Sequence, residues 1–145
     1  MDKDKKEEAK RMLEIILFAY PSGLTIMDMT DYLDPEPNPE RPFRSRNKLA
    51  VAKLLREMAL EGRVLIDFAM FSSGALGARI HPLRCRELTN TLRFGLGLKP
   101  LEPLSQKRFE ELSNLANEAP FKHAFKELDE KLIPQLEESI NKKEA

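Results

Sequence analysis

Apolar residues return every three or four positions near the start of the chain: Leu13, Ile16, Leu17 and Tyr20, with Met12 and Ile15 widening the stripe. That period predicts an amphipathic helix over residues 4–20, stopped by Pro21-Ser22-Gly23. Leu24-Thr25 opens a second helix with Ile26, Met29 and Leu33 on its apolar face. Thr25 is placed to cap it, and Asp28 stands three residues on, as in a capping box. A third helix, from about 46 to 61, gathers Val51, Leu54, Leu55 and Met58 on one side. Ser45 suits its start and Gly62 its end.

The period then changes. Residues 64–71 are rich in β-formers, 72–77 in turn residues, and 78–81 supply a return strand ended by Pro82, which predicts a hairpin with a long loop. Helical patterning resumes over 86–94, and a Gly/Pro linker follows at 95–103. Ser105 caps a helix to about 117 that carries Phe109, Leu112 and Ala116. The last helix, about 120–141, carries Phe121, Phe125, Leu128, Leu132, Leu136 and Ile140, and Pro134 must kink or interrupt it. Four prolines in residues 34–42 make the connection between the second and third helices an extended loop.

Charge sharpens this picture. The chain is neutral overall, yet residues 41–93 hold eleven Lys/Arg against four Asp/Glu, a net of +7. Residues 1–40 hold five against ten, and residues 94–145 eight against ten. A basic helix–hairpin unit between acidic flanks is the footprint expected of nucleic-acid binding.

The order helix, helix, helix, hairpin over residues 8–82 resembles the winged helix-turn-helix domain of bacterial transcription regulators. The resemblance rests on Gly23-Leu24-Thr25 entering a short helix that ends at Leu33, and on residues 51–64, which run through Glu61-Gly62 into the hairpin as a recognition helix runs into its wing. It covers about half the chain. One departure is the connection at 34–44, eleven residues where such domains have a turn of about three or four. That segment is either a rigid insertion or a contact segment acting through Arg41 and Arg44.

The resemblance implies a third helix in the major groove of double-stranded DNA. Arg46 and Asn47 would then read base edges, Arg on guanine and Asn on adenine. Lys48, Lys53 and Arg56 would meet phosphates, and Arg79, near the wing tip, the backbone or minor groove. The expected fold class is mainly α with a small β-hairpin: a winged helix-turn-helix core at 1–94, the linker at 95–103, and a C-terminal helical hairpin at 104–145. That hairpin is read as a dimerisation element of a homodimer, with an intramolecular role as the alternative.

Other chemistry finds little support. His81 and His123 are the only histidines, without the Cys–His spacing of a zinc site. Gly95-Leu96-Gly97 lacks the third glycine of a dinucleotide fingerprint, and no phosphate loop is present. Asp129-Glu130 and Glu137-Glu138 read as solvated helix faces. No enzyme and no cofactor is expected. The lone Cys85 excludes an internal disulfide, no apolar run is long enough to span a membrane, and the charged first ten residues are unlike a secretory signal, so a cytoplasmic protein is expected. Two functions stand beside transcriptional regulation: a mobile-element replication or partition factor, and a winged-helix module whose basic face meets an acidic protein partner.

Overall fold

The computed structural model describes residues 2–33, 45–68 and 74–144, the side chains of residues 45, 46, 143 and 144 excepted. The Pro-rich segment 34–44 and the hairpin tip 69–73, with Met70 and Phe71, therefore lie outside the described residues.

Helix α1 (Lys3–Ala19) starts at Asp2, whose side chain accepts a hydrogen bond from the Lys5 backbone N–H at 2.9 Å. Strand β1 (Leu24–Thr25) leads directly into α2 (Ile26–Leu33). The capping box forms: Thr25 Oγ1 accepts from the Asp28 N–H at 3.1 Å, and Asp28 accepts from the Thr25 N–H at 3.4 Å. Helix α3 (Ser45–Leu60) ends at Gly62, which takes the left-handed φ of +73°. Two backbone bonds close that end, Arg63 N–H to the Met58 carbonyl and Gly62 N–H to the Ala59 carbonyl, the Schellman pattern that favours glycine here.

Strands β2 (Val64–Asp67) and β3 (Gly77–Ile80) form the expected hairpin. The sheet has a third member. β1 pairs antiparallel with β3, Leu24 opposite Ala78, giving the order β1-β3-β2. A two-residue strand has no period to detect, so sequence patterning passes over it.

Helix α4 (Pro82–Gly95) begins four residues before the predicted start at 86. His81 is its cap: the imidazole Nδ1 accepts from the Leu83 N–H at 3.1 Å, and Pro82 supplies a first position that needs no donor. Helix α5 (Gln106–Ser113) is capped by Ser105, and a short 3₁₀ turn follows at Leu115–Asn117. Helix α6 (Ala119–Glu127) continues through a π turn (Leu128–Leu132) into α7 (Ile133–Glu144). The interruption expected at Pro134 takes this form. Pro134 has no N–H and its ring would strike the carbonyl four residues back, so the helix widens and Ile133 bonds five back to Leu128 instead.

One hydrophobic core joins these elements. Leu13, Leu17, Met29, Leu55 and Met58 are fully buried, and so are Ala124 and Leu128 of the C-terminal rod in the same cluster. Phe125, Leu132, Ile133 and Leu136 pack against it. α6 lies on β2 and α7 lies along α3, so the C-terminal apolar stripe is used inside the chain. Phe94 is 86 % exposed, and Met27 is exposed as well. No helix among the described residues is long and apolar enough to cross a membrane.

Candidate nucleic-acid interface

Helix α3 is flanked by α1, α2, β2 and α7, which leaves one strip of it open. Ala50 and Lys53 are exposed on that strip, and residue 46 stands two helical turns before Lys53 on the same face of the backbone. Asn47 is also exposed. From Ser45 to Arg56 the helix carries Arg46, Lys48, Lys53 and Arg56 and no carboxylate. Its N-terminus adds the positive end of the backbone dipole.

Glu57 is the first acidic residue on α3, and α1 neutralises it. Lys6 Nζ lies 3.0 Å from Glu57 Oε1 and Lys10 Nζ 2.9 Å from Oε2. Hydrogen bonds from Lys10 and Lys6 hold the Glu57 carboxyl below the ordinary carboxylate range. Burial works against the charge on Lys10, but its bonds to Glu57 and Glu61 outweigh it and raise its pKa. The strip opens into a groove of about 460 Å³ lined by Lys6 of α1, Leu49, Ala50, Lys53 and Leu54 of α3 and Ile140 of α7.

The residues expected to contact DNA divide into three groups. Arg41, Arg44 and the side chain of Arg46 lie outside the described residues. Asn47, Lys48 and Lys53 are on α3, with Lys53 in the groove and Lys48 half-buried. Neither lysine makes an ion pair among the described residues. Arg56 and Arg79 are instead directed at the C-terminal rod. Arg56 Nε is 2.6 Å from Asp129 Oδ1, and its guanidinium sits 5.3 Å from the Phe125 ring centroid. Arg79 stands opposite Leu65, towards the base of the hairpin, and lies 5.8 Å over Phe121. Asp129, read as part of a solvated face, is thus an internal partner of α3.

A second polar group stands apart from the strip. Glu14 of α1 is buried and accepts hydrogen bonds from Arg63 Nη2 at 2.7 Å and Arg84 Nη2 at 3.1 Å. Burial alone would raise the Glu14 carboxyl, but the bonds from Arg84 and Arg63 outweigh it and lower its pKa. Arg63 also reaches Glu7, and Arg84 reaches Glu87 at 2.8 Å. Much of the basic excess at 41–93 is therefore matched within the fold by acids of α1 and the C-terminal rod. Spacing carried a signal for this: Lys10 and Glu14 fall on the same helical stripe as Leu13 and Leu17. His81 is also buried. Burial and the nearby Arg79 charge lower its pKa against the opposing bond to the Leu112 backbone, so it is a neutral structural cap.

A cavity of about 470 Å³ adjoins this cluster, lined by Glu7, Glu61, Arg63, His81, Arg84 and Ser113 among others. Its arginines already serve the neighbouring carboxylates. Among the described residues no group of three His, Cys, Asp or Glu is placed to hold a metal ion. Cys85 is half-buried and packs against the core. No family model, no curated protein and no solved structure matches the chain.

Proposed function

We propose that this chain binds double-stranded DNA as a winged helix-turn-helix protein, with α3 as the helix that enters the major groove. The observation that carries the reading is the open strip of α3, which exposes Ala50 and Lys53 and whose nearest carboxylate, Glu57, is neutralised by Lys6 and Lys10. The topology supports it. β1, set between the first two helices, closes onto the hairpin that follows the third, which ties α2, α3 and the hairpin into one unit. In this reading Arg46 and Asn47 contact base edges, while Lys48 and Lys53 contact phosphates. The protein acts in the cytoplasm by occupying its site, as a transcriptional regulator or as a replication or partition factor. No cofactor enters the scheme.

Fluorescence anisotropy of labelled duplex DNA at several salt concentrations tests this. Affinity should fall linearly in log salt, and Lys53→Ala should reduce that slope by about one, the loss of one phosphate contact. Absence of binding at ~50 mM salt, where phosphate contacts are strong, would exclude the reading.

One observation favours a second reading, a protein-binding module. The groove beside Lys53 has apolar lining residues in Leu49, Leu54 and Ile140, and Leu60 on the same helix is 64 % exposed. Such a surface suits an amphipathic helix with acidic flanks. Binding of such a peptide with no duplex binding would select it.

A further inference from the structure

Exposed apolar side chains cluster at one point of this chain. Of the eleven large hydrophobic side chains exposed among the described residues, four fall within residues 92–98: Leu92, Phe94, Leu96 and Leu98. They form the tip of an arm made by α4 and the segment that follows it. Cys85 and Leu88, in the first half of α4, pack against the core, whereas every residue from 94 to 100 is exposed. The chain turns at Gly97 (φ +74°) and runs back along the helix. Arg93 Nε donates to the Lys99 carbonyl at 2.6 Å, and Asn90 Oδ1 accepts from the Leu101 N–H at 2.8 Å. These bonds give the tip its shape before it meets any partner. A concentration of exposed apolar side chains on this scale marks a contact surface.

We infer that this tip dips into the surface of a lipid bilayer that carries anionic headgroups. Three features favour a bilayer over another protein. The first is arrangement. Leu92 and Phe94 are two positions apart on α4, about 200° round its axis, and Leu96 and Leu98 continue past its end. A protein partner covers one face of a helix, but a bilayer entered end-on surrounds every side of the tip. The second is the backbone. Lipid offers no hydrogen-bond partner, so N–H groups that enter it must be satisfied within the chain. Leu96 donates to the Leu92 carbonyl at 3.0 Å, Gly97 to Phe94 at 3.0 Å and Leu98 to Arg93 at 2.8 Å, while Pro100 has no N–H. The third is charge. No carboxylate occurs from residue 88 to 101, and the cations there are Arg93 and Lys99. Residues 82–113 hold six Lys/Arg against four Asp/Glu, so that pair is the arm's whole basic excess. The apolar side chains would enter the acyl boundary while the two cations stay among the headgroups. The contact uses no residue of α3 and stands whether or not α3 binds DNA.

The chain has no tryptophan, so Phe94→Trp places a single fluorescent reporter at the tip of the full-length protein. It is titrated with vesicles of phosphatidylglycerol and phosphatidylcholine. The expected result is a blue shift of the Trp emission and its quenching by lipids with brominated acyl chains. In that background Lys99→Gln should weaken vesicle binding about fivefold and Lys99→Glu about 25-fold, the effect of one and two charges near an anionic surface. Phe94→Ser with Leu96→Ser should abolish co-sedimentation with the vesicles and leave the circular dichroism spectrum unchanged, since both side chains are exposed. That variant keeps α3 intact, so it separates the tip from the basic strip. Three results would overturn the inference. One is Trp emission that vesicles do not change. Another is co-sedimentation that survives Phe94→Ser/Leu96→Ser. The third is a blue shift that grows with protein concentration in the absence of lipid, which would give the tip to a second copy of the chain.

Discussion

Glu14 Oε1 of α1 accepts a hydrogen bond from Arg63 Nη2 at 2.7 Å, with the carboxylate side chain 2 % exposed and the guanidinium 13 %. Arg63 is the residue that closes the end of α3, so this bond fixes the first helix against the third at the point where the hairpin begins. Arg84 binds the same carboxylate from α4. Removing the acid leaves the largely buried Arg63 and the partly exposed Arg84 facing one another, with Glu7 and Glu87 to offset them. Glu14→Ala should cost about 3 kcal/mol, the lower end of the loss when one side of a buried pair is removed, because Glu7 and Glu87 remain. Replacing Glu14, Arg63 and Arg84 together by methionine should recover most of it, because well-packed apolar groups dispense with the desolvation penalty. Urea unfolding midpoints of both variants check this, and a Glu14→Ala midpoint equal to that of the parent would rule it out.

Acid should lower the stability of the fold in two stages. Glu7, Glu14 and Glu57 all sit below the ordinary carboxylate value of 4.5 in the folded state. A depressed acid contributes stability that is fully present above its unfolded pKa and is lost as pH falls through the folded one. The steep loss therefore comes below pH 4.5. His81 is also depressed, from 6.5, chiefly because burial disfavours its cation. The folded state binds that proton less readily than the unfolded one, so a shallower loss begins as pH falls below 6.5. Melting temperatures should be flat above pH 6.5, decline gently to about 4.5 and then drop. His81→Asn keeps an acceptor for the Leu83 N–H and should abolish only the gentle stage.

Much of this arrangement was legible in the chain, and the parts that were not have physical reasons. The stripe of Leu13, Ile16 and Leu17, the Thr25–Asp28 capping box and the Gly62 stop each depend on neighbours within one helical turn, so spacing alone finds them. β1 exists only because Leu24 meets Ala78, a contact across more than fifty residues that leaves no local period. The start of α4 was missed because a histidine, not Ser, Thr, Asp or Asn, caps it. The basic block was visible, but its distribution was not. Whether Arg56 meets solvent or Asp129 is decided by how the C-terminal rod packs, and helical periodicity does not fix that.

The C-terminal rod should unfold together with the rest of the chain. Leu128 is fully buried, and it shares the core with Leu55 and Met58 of α3. Leu128→Ala should therefore destabilise the whole protein by about 2–5 kcal/mol, the range for a fully buried leucine. Fluorescence from a probe on α1 and circular dichroism should report a single coincident transition. A separate early transition confined to the helical signal would instead make residues 119–144 an independent unit.

Arg56 distinguishes a strip on α3 from a general cationic surface. Asp129 holds it at 2.6 Å and Phe125 covers its guanidinium. A group engaged in this way releases no counterion when the protein meets a duplex. Arg56→Ala should leave the salt slope of duplex binding unchanged, while Lys53→Ala lowers it by about one. Asp129→Asn removes the carboxylate charge without removing the arginine, and should raise the slope if the released guanidinium reaches a phosphate. The three slopes, measured on the same duplex, separate geometry from net charge. Lys53→Ala and Arg56→Ala remove equal charge, so equal slope changes would mean that DNA responds to the charge of the domain and not to the open face of α3.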